Sequence, residues 1–589
     1  MLTNKTITAD LCVVGGGMAG ICAAISAARE GAKVALIHER PVLGGNASSE
    51  IRIWISGAHG RDNRETGILE EIMLENLYRN PTKNYCIWDS ILYDFVKREK
   101  NITLLLNCTC MDAQTDCGDF EYGRTVKIKS IKAYQMTTQT FFTVNAKYYA
   151  DCSGDSILAP LTGAEYRYGR EDKTEFNEKT YVDKPDKMVM GMSCLLEARE
   201  TTQKVKFTPP DSYTRLTDDD VKNRPFHPLY SGDNYWFLEL GGNRDTIGDT
   251  EDIKDELISL AVGAWDYLKN SGKYNADNWD LDFLGFLPGK RESRRMCGEY
   301  MVSEKDITLD TVFEDTVAFA GWHMDDHYPG GYYHKGSPNT CISTPTPFCL
   351  PYRALYSKNV DNLFFAGRNI SMTHFAMSCT RVMATCALLG QAVGTAAAVA
   401  AKYNIPPHGI YLNHMTEVQN ILMNSDCFLP HFSRMISPLC KNLGNVMLTD
   451  GVDRVNHIYK NSACGIGQRN NLPIEYNFEN PEYISSVHIV FDSDLNRDTL
   501  PGEWWEKYFV TKCNTSLNDP QTHLPATLCK KFILEADIDG KTERLLNMDN
   551  NRKRSYHIVV NKPVKALRLI PISNWGNDEY TNIFSFDFY

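Results

Sequence analysis

Residues 11–24, LCVVGGGMAGICAA, set three glycines in the spacing G-x-G-x-x-G between an apolar run and an alanine-rich one. Few arrangements use that order. Leu11 to Val14 reads as a short buried strand, Ile21 to Arg29 as a helix, and Lys33 to His38 as a second strand ending at Glu39. Gly15 permits the sharp turn, Gly17 lets a pyrophosphate approach the backbone, and Gly20 lets helix and strand touch. The first helical turn, with Met18 and Ala19, offers unpaired N–H groups to an anion. Glu39 stands where, about 20 residues beyond the glycines, a carboxylate accepts ribose hydroxyl protons and repels a 2′-phosphate. A dinucleotide is therefore expected here.

Three later stretches bear on which one. RPVLGGNASSEIR, from Arg40 to Arg52, adds an N–H-rich loop at Gly44 and Gly45, with Ser49 close behind. KYYADCSGDSILA ends a strand at Asp151 and continues to Gly154 and Asp155. NLFFAGRNISMTHFA ends a strand at Gly367 and Arg368, ahead of a small-residue helix starting near Met383 and Ala384. As a set these resemble the flavoprotein oxidoreductases of the glutathione-reductase-like superfamily, above all the FAD-dependent branch found among bacterial carbohydrate-utilisation proteins. Gly289 to Ile307, GKRESRRMCGEYMVSEKDI, resembles another stretch of that branch, and the likeness runs from about residue 8 to residue 425.

The resemblance implies FAD, with the early glycines on the pyrophosphate and the later segments around the flavin. A helix beginning near Ala384 would direct its positive end at the ring edge where negative charge develops on reduction. No second strand-linked G-x-G-x-x-G follows, so no built-in NAD(P)H site is expected and electrons pass to an external acceptor. No cysteine stands between Cys22 and Cys86, which departs from the disulfide-reductase branches.

An α/β architecture follows. The expected FAD domain is discontinuous, residues 1–160 and 341–403, around an α+β substrate insertion at 161–340. A helical linker, 404–440, leads to short alternating segments from 441 to 589 that read as an all-β sandwich. That last part resembles the discoidin-like, galactose-binding jelly rolls. It either binds sugar or packs on the catalytic part or a second copy of the chain, as in a homo-oligomer. Trp504, Trp505 and Trp575 are its candidate ring platforms.

Chemistry is expected in GWHMDDHYPGGYYH, read as a Gly/Pro-rich loop in the insertion. His323 or His327 is the candidate base for a hydroxyl proton, oriented by Asp325 or Asp326, with Trp322 as a sugar platform. His374 is a second candidate, because it follows the Gly367-Arg368 segment. Arg291, Arg294 and Arg295 either clamp an anionic group or form an internal network with Glu292. His59 and Arg52 are placed near the flavin. A His-x3-His metal pair needs a helix, which Pro329-Gly330 opposes, so no metal is expected.

The net charge of −12, without an extended basic block, makes nucleic acid or an anionic membrane a poor partner. The apolar stretch Ala384 to Ala401 is barely long enough to span a bilayer and reads as a buried helix. Eighteen irregularly spaced cysteines and a polar start point to a reducing, cytoplasmic setting. The expected activity is oxidation of a hydroxyl-bearing small molecule, a sugar or glycoside. The alternatives are redox-neutral glycoside cleavage through transient oxidation, or a non-catalytic glycan-binding protein.

Overall fold

The computed structural model describes residues 2–179, 182–455, 465–497 and 513–589. Strand β1 (Thr3–Val14) starts polar and exposed and ends in four buried apolar residues, so the polar stretch from Thr3 to Asp10 also belongs to the sheet. It runs parallel to β2 (Val34–Ile37), fully buried, and to β6 (Thr140–Asp151). With β3 (Ile102–Leu105), β4 (Cys108–Cys117) and β5 (Val126–Gln135) the order is β3-β2-β1-β6-β5-β4. Strand β6 forks. Thr140 to Asn145 pair antiparallel with β5, whereas Tyr149 to Asp151 pair in parallel with Leu363–Phe365. A segment about two hundred residues later in sequence thus joins the sheet beside the glycine turn.

Helix α1 (Met18–Arg29) lies against the helix Met383–Tyr403 at a separation set by missing side chains. A Cβ on Gly390 would stand 2.0 Å from the Ala19 carbonyl oxygen, and one on Gly394 2.2 Å from that of Ala23. The alanine and glycine content of the second helix is a close-packing requirement. Met383–Tyr403 is long and apolar enough to cross a membrane, yet 94% of its most apolar stretch is buried inside this protein. Helices α2 (Ile68–Arg79) and α3 (Tyr85–Lys97) complete the layer.

The insertion holds the helix Thr250–Asn270, whose Ile253, Leu257, Leu260, Ala264 and Leu268 form one buried face. In the stretch YWFLEL only Glu239–Leu240 is strand, and it pairs with Met192–Ser193. The expected Gly/Pro-rich loop is a hairpin instead: Met324–His327 pairs antiparallel with Asn339–Ile342. Alternating polar side chains let both faces of that short strand find polar partners, which no apolar periodicity could reveal.

Among the described residues, the C-terminal part is an all-β unit of six antiparallel strands, two of them long (Ile474–Phe491 and Ser555–Asn574) and shifted in register along their length. NVMLTDG, at the start of this part, is a turn after the helix Pro438–Leu443. The unit docks on α2: Leu74 enters its apolar core, and Arg497 pairs with Glu70 at 2.7 Å. Trp575 faces Tyr78 of α2 and donates its indole N–H to the Asn551 carbonyl, so it belongs to this junction. Trp504 and Trp505 lie outside the described residues.

Candidate active site

The glycine turn, the second loop and the two late segments meet at one place. Gly15 has φ +107° and its Cβ would fall 2.4 Å from the Cys152 carbonyl oxygen, so the turn abuts the end of β6. A Cβ on Gly20 would reach within 1.8 Å of the Gly15 oxygen. Gly44 N–H donates to the Gly16 carbonyl at 2.8 Å, laying the second loop against the first. The Trp88 indole pins that loop from α3 by donating to the Ala47 carbonyl. His38 accepts the Gly16 N–H on Nδ1 and donates from Nε2 to the Val42 carbonyl, which holds half-exposed Glu39 beside the turn. Arg40 links Glu39 to Glu50.

At the far end Arg368 Nη2 reaches Asp155 Oδ1 at 2.6 Å, and Lys290 reaches Asp155 Oδ2 at 2.7 Å. Arg368 lies directly over Gly154, where a Cβ would meet its Nη1 at 1.9 Å. Gly367 has φ +119°, and a Cβ there would stand 3.3 Å from Asn369 Oδ1 and 3.7 Å from the Ala19 Cβ. Asp151 is buried; its carboxylate accepts from the Ser153 and Leu158 N–H groups and shapes the turn. These contacts leave a groove that suits an elongated, phosphate-bearing cofactor. Gly17 is the open point, since a Cβ there would meet only the Gly45 Cα at 3.8 Å. Ser48 Oγ, Arg368 Nε and Thr385 Oγ1 are buried without a hydrogen-bond partner, as polar atoms reserved for a bound group would be. Ser49 and Arg52 serve the scaffold: Ser49 N–H donates to Asp89, and Arg52 pairs with Glu197 of the insertion at 2.5 Å.

A cavity of about 810 Å³ opens from the Arg368 and Met383 end into the insertion. His323, Asp325 and His327 line it; His374 and Arg295 do not. His323 stacks on Trp322 with ring centroids 4.6 Å apart, His59 stacks on the same indole at 4.5 Å, and His59 Nε2 lies 3.1 Å from His323 Nδ1. Burial, together with the charges of Arg381 and His327, lowers the His323 pKa below the ordinary histidine value. A neutral imidazole there accepts a proton.

His327 is the opposite case. Burial alone would lower its pKa, but Glu239 on Nδ1 at 2.6 Å and Asp325 on Nε2 at 3.2 Å raise it. It is held as an imidazolium. Burial would raise the Asp325 pKa, but His327 first and then Arg381, 3.0 Å away, keep that carboxyl well below its usual range. Asp326, on the other face of the strand, pairs with His374.

His374 sits fully buried between Glu292 and Asp326, which outweigh burial and lift its pKa to about 10. It is therefore a fixed cation and not a base. Arg295 is equally buried, paired with Glu292 and Glu171 and donating to the Gly169 carbonyl at 2.6 Å. Of the arginine cluster, only Arg291 reaches the cavity. The internal network thus accounts for Arg295 and the clamp does not.

Several lining residues were not singled out from sequence. Asp233 and Asn234 line the cavity with Asp233 Oδ2 and Asn234 Oδ1 buried and without a hydrogen-bond partner. Burial raises the Asp233 pKa to about 6. Arg381 and Cys341 line it as well, and Glu239 stands behind it against His327. Asp233, Asn234, Glu239 and Cys341 stand in stretches whose polar residues carry no motif, and only tertiary packing brings them to this place.

A family profile described as FAD dependent oxidoreductase matches residues 10–422. No curated protein matches the chain. Among solved structures the chain is similar to a geranylgeranyl bacteriochlorophyll reductase-like protein from Thermoplasma acidophilum. The identity is 12%, covering 72% of this chain and 85% of that one, with a TM-score of 0.30. It is also similar to p-nitrophenol 4-monooxygenase PnpA from Pseudomonas putida DLL-E4, at 10% identity over 70% of this chain and 88% of that one, TM-score 0.29. A family 32 carbohydrate-binding module from Streptococcus pneumoniae EndoD matches at 14% identity over 20% of this chain and 68% of that one, TM-score 0.14.

Proposed function

This chain belongs to the FAD dependent oxidoreductase family, and from that premise we propose that it oxidises a hydroxyl-bearing small molecule of the sugar or glycoside class. The observation that carries the reading is one cavity that runs from Asn46, Lys290, Arg368 and Met383, beside the glycine loops, to His323. Gly15, Gly17 and Glu39 would hold the nucleotide half of FAD, and Arg368, Lys290 and the start of the helix Met383–Tyr403 the flavin half. When bound, FAD supplies the two-electron acceptor for a hydride leaving a substrate carbon.

The chain's own residues do the rest. Neutral His323, steadied by Trp322 and His59, takes the hydroxyl proton. The stacked indole offers an apolar ring face to sugar C–H groups. Across the cavity, the buried acceptors Asp233 Oδ2 and Asn234 Oδ1 lack donors, which substrate hydroxyls would supply. Hydroxyl recognition by otherwise unpaired buried groups is strongly selective.

One observation favours a second reading, redox-neutral cleavage. His323 is pushed toward neutrality and His327 toward the protonated form, four residues apart on the same wall. Such a divided pair suits a base and an acid, and elimination of a glycosidic group needs both. Anaerobic mixing with a panel of sugars and glycosides tests both readings. A single turnover that leaves bleached flavin supports the dehydrogenase, and sustained product release without an acceptor supports cleavage. If no member of the panel changes the flavin spectrum or releases product, the sugar reading fails.

A further inference from the structure

The hairpin in the cavity wall brings together three ligand-type atoms that the reaction above does not require as a set. His323, Asp325 and Cys341 place a ring nitrogen, a carboxylate oxygen and a thiol sulfur within 4.8 Å of one another. Asp325 and Cys341 are register partners on the paired strands Met324–His327 and Asn339–Ile342, so the backbone imposes their closeness. Cys341 Sγ stands 3.7 Å from Asp325 Oδ1. A tetrahedral zinc ion, with bonds of about 2.3 Å to sulfur and about 2.0 Å to oxygen, would set those two ligands about 3.5 Å apart.

The surroundings orient the set. Arg381 and His327 engage Asp325 Oδ2, which turns Oδ1 toward the thiol. Asn339 Nδ2 donates to Asp325 Oδ1 and lies 3.4 Å from the sulfur. His59 contacts His323 Nδ1, the kind of outer contact that fixes a ligating ring. Arg381 and His327 face Asp325, and Arg291 and His327 face Glu239, so three cations meet two carboxylates in this wall. All three ligand residues line the cavity.

We propose that His323, Asp325 and Cys341 bind one divalent cation of borderline softness, Zn²⁺ being the probe of choice, with its remaining position open to an oxygen donor in the cavity. Imidazole, carboxylate and thiolate together select such an ion over Mg²⁺ or Ca²⁺. Three protein ligands with an open fourth position are the pattern of an ion that meets water or substrate. The inference rests on the hairpin geometry and not on the proposed reaction; a bound ion takes the remaining His323 ring nitrogen, so His323 serves as the base only in the metal-free protein.

The test uses the flavin-loaded full-length protein, reduced, stripped with a chelator and titrated with Zn²⁺. Metal analysis and zinc-edge X-ray absorption should find one ion per chain with one sulfur neighbour at about 2.3 Å. Cys341→Ser should abolish the sulfur signal, and Cys341→Ser, Asp325→Asn and His323→Gln should each weaken binding by at least about tenfold, the lower end of what losing even a supporting contact costs. Circular dichroism and flavin content report whether each variant is folded. Absence of saturable Zn²⁺ uptake, or uptake unchanged in folded Cys341→Ser and His323→Gln, overturns the proposal.

Discussion

Glu239 Oε2 and His327 Nδ1 lie 2.6 Å apart, each side chain only 3% exposed. The same construction recurs on the other face of the strand, where Glu292 and Asp326 enclose His374. Successive residues of a strand point to opposite faces, so Asp325 and His327 share the cavity side and Asp326 the buried side. Two histidines are thereby held as cations, and His323 remains the neutral ring at the cavity.

The glycines of the cradle divide by what they meet. Gly20→Ala forces a Cβ into the Gly15 carbonyl, whereas Gly17→Ala meets nothing closer than 3.8 Å and has an extended backbone that alanine adopts. Gly20→Ala should lose about 1–3 kcal/mol or more of stability in urea unfolding. Gly17→Ala should unfold like the parent but purify with much less flavin, read from the visible spectrum. Equal flavin content in Gly17→Ala and the parent would refute the assignment of the groove.

His323→Gln should retain FAD and slow substrate-driven flavin bleaching by roughly 10²–10⁴-fold, the usual worth of a positioned base. Stopped-flow absorbance checks this. An undiminished rate would remove His323 from the proton path.

His374 titrates at about 10 in the folded protein against an ordinary value of 6.5, because Glu292 and Asp326 outweigh its burial. The folded state therefore binds a proton that the unfolded chain releases near pH 6.5. Its stabilisation is complete below that pH and fades as pH rises toward 10. The melting temperature of the parent should fall across this window, and the fall should be shallower in His374→Gln. Parallel curves for the two proteins would contradict the acid–imidazolium–acid arrangement.

Arg497 and Glu70 join the β unit to α2 as a buried pair, with Ser493 also donating to the carboxylate. Glu70→Gln leaves the guanidinium buried without its counter-charge and should cost roughly 3–5 kcal/mol. Replacing both partners together, Glu70→Leu with Arg497→Met, should recover most of that loss. Urea midpoints of the three proteins decide the matter: a double variant no better than the single one would deny the pairing its role.

Legibility followed locality. The strand–turn–helix around Gly15, Gly17 and Gly20 could be read directly, since a turn with positive φ and a helix start depend on neighbours along the chain. The small-residue helix could be read as buried, though its partner, Ala19 and Ala23 of α1, is set by packing. The stretch WHMDDH was legible as chemistry and misread as a loop, because a polar strand carries no hydrophobic alternation. His374 and Arg295 stood beside true motifs and proved to be internal.

The sequence alone determined the glycine turn and the helix that starts from it, for glycine geometry and a helix's exposed N–H groups are properties of a dozen consecutive residues. Only the tertiary structure separated the histidines by charge. A protonation state depends on the charges within a few ångströms of the ring, and Glu239, Glu292 and Arg381 arrive there from segments up to 88 positions away. No spacing along the chain encodes that encounter.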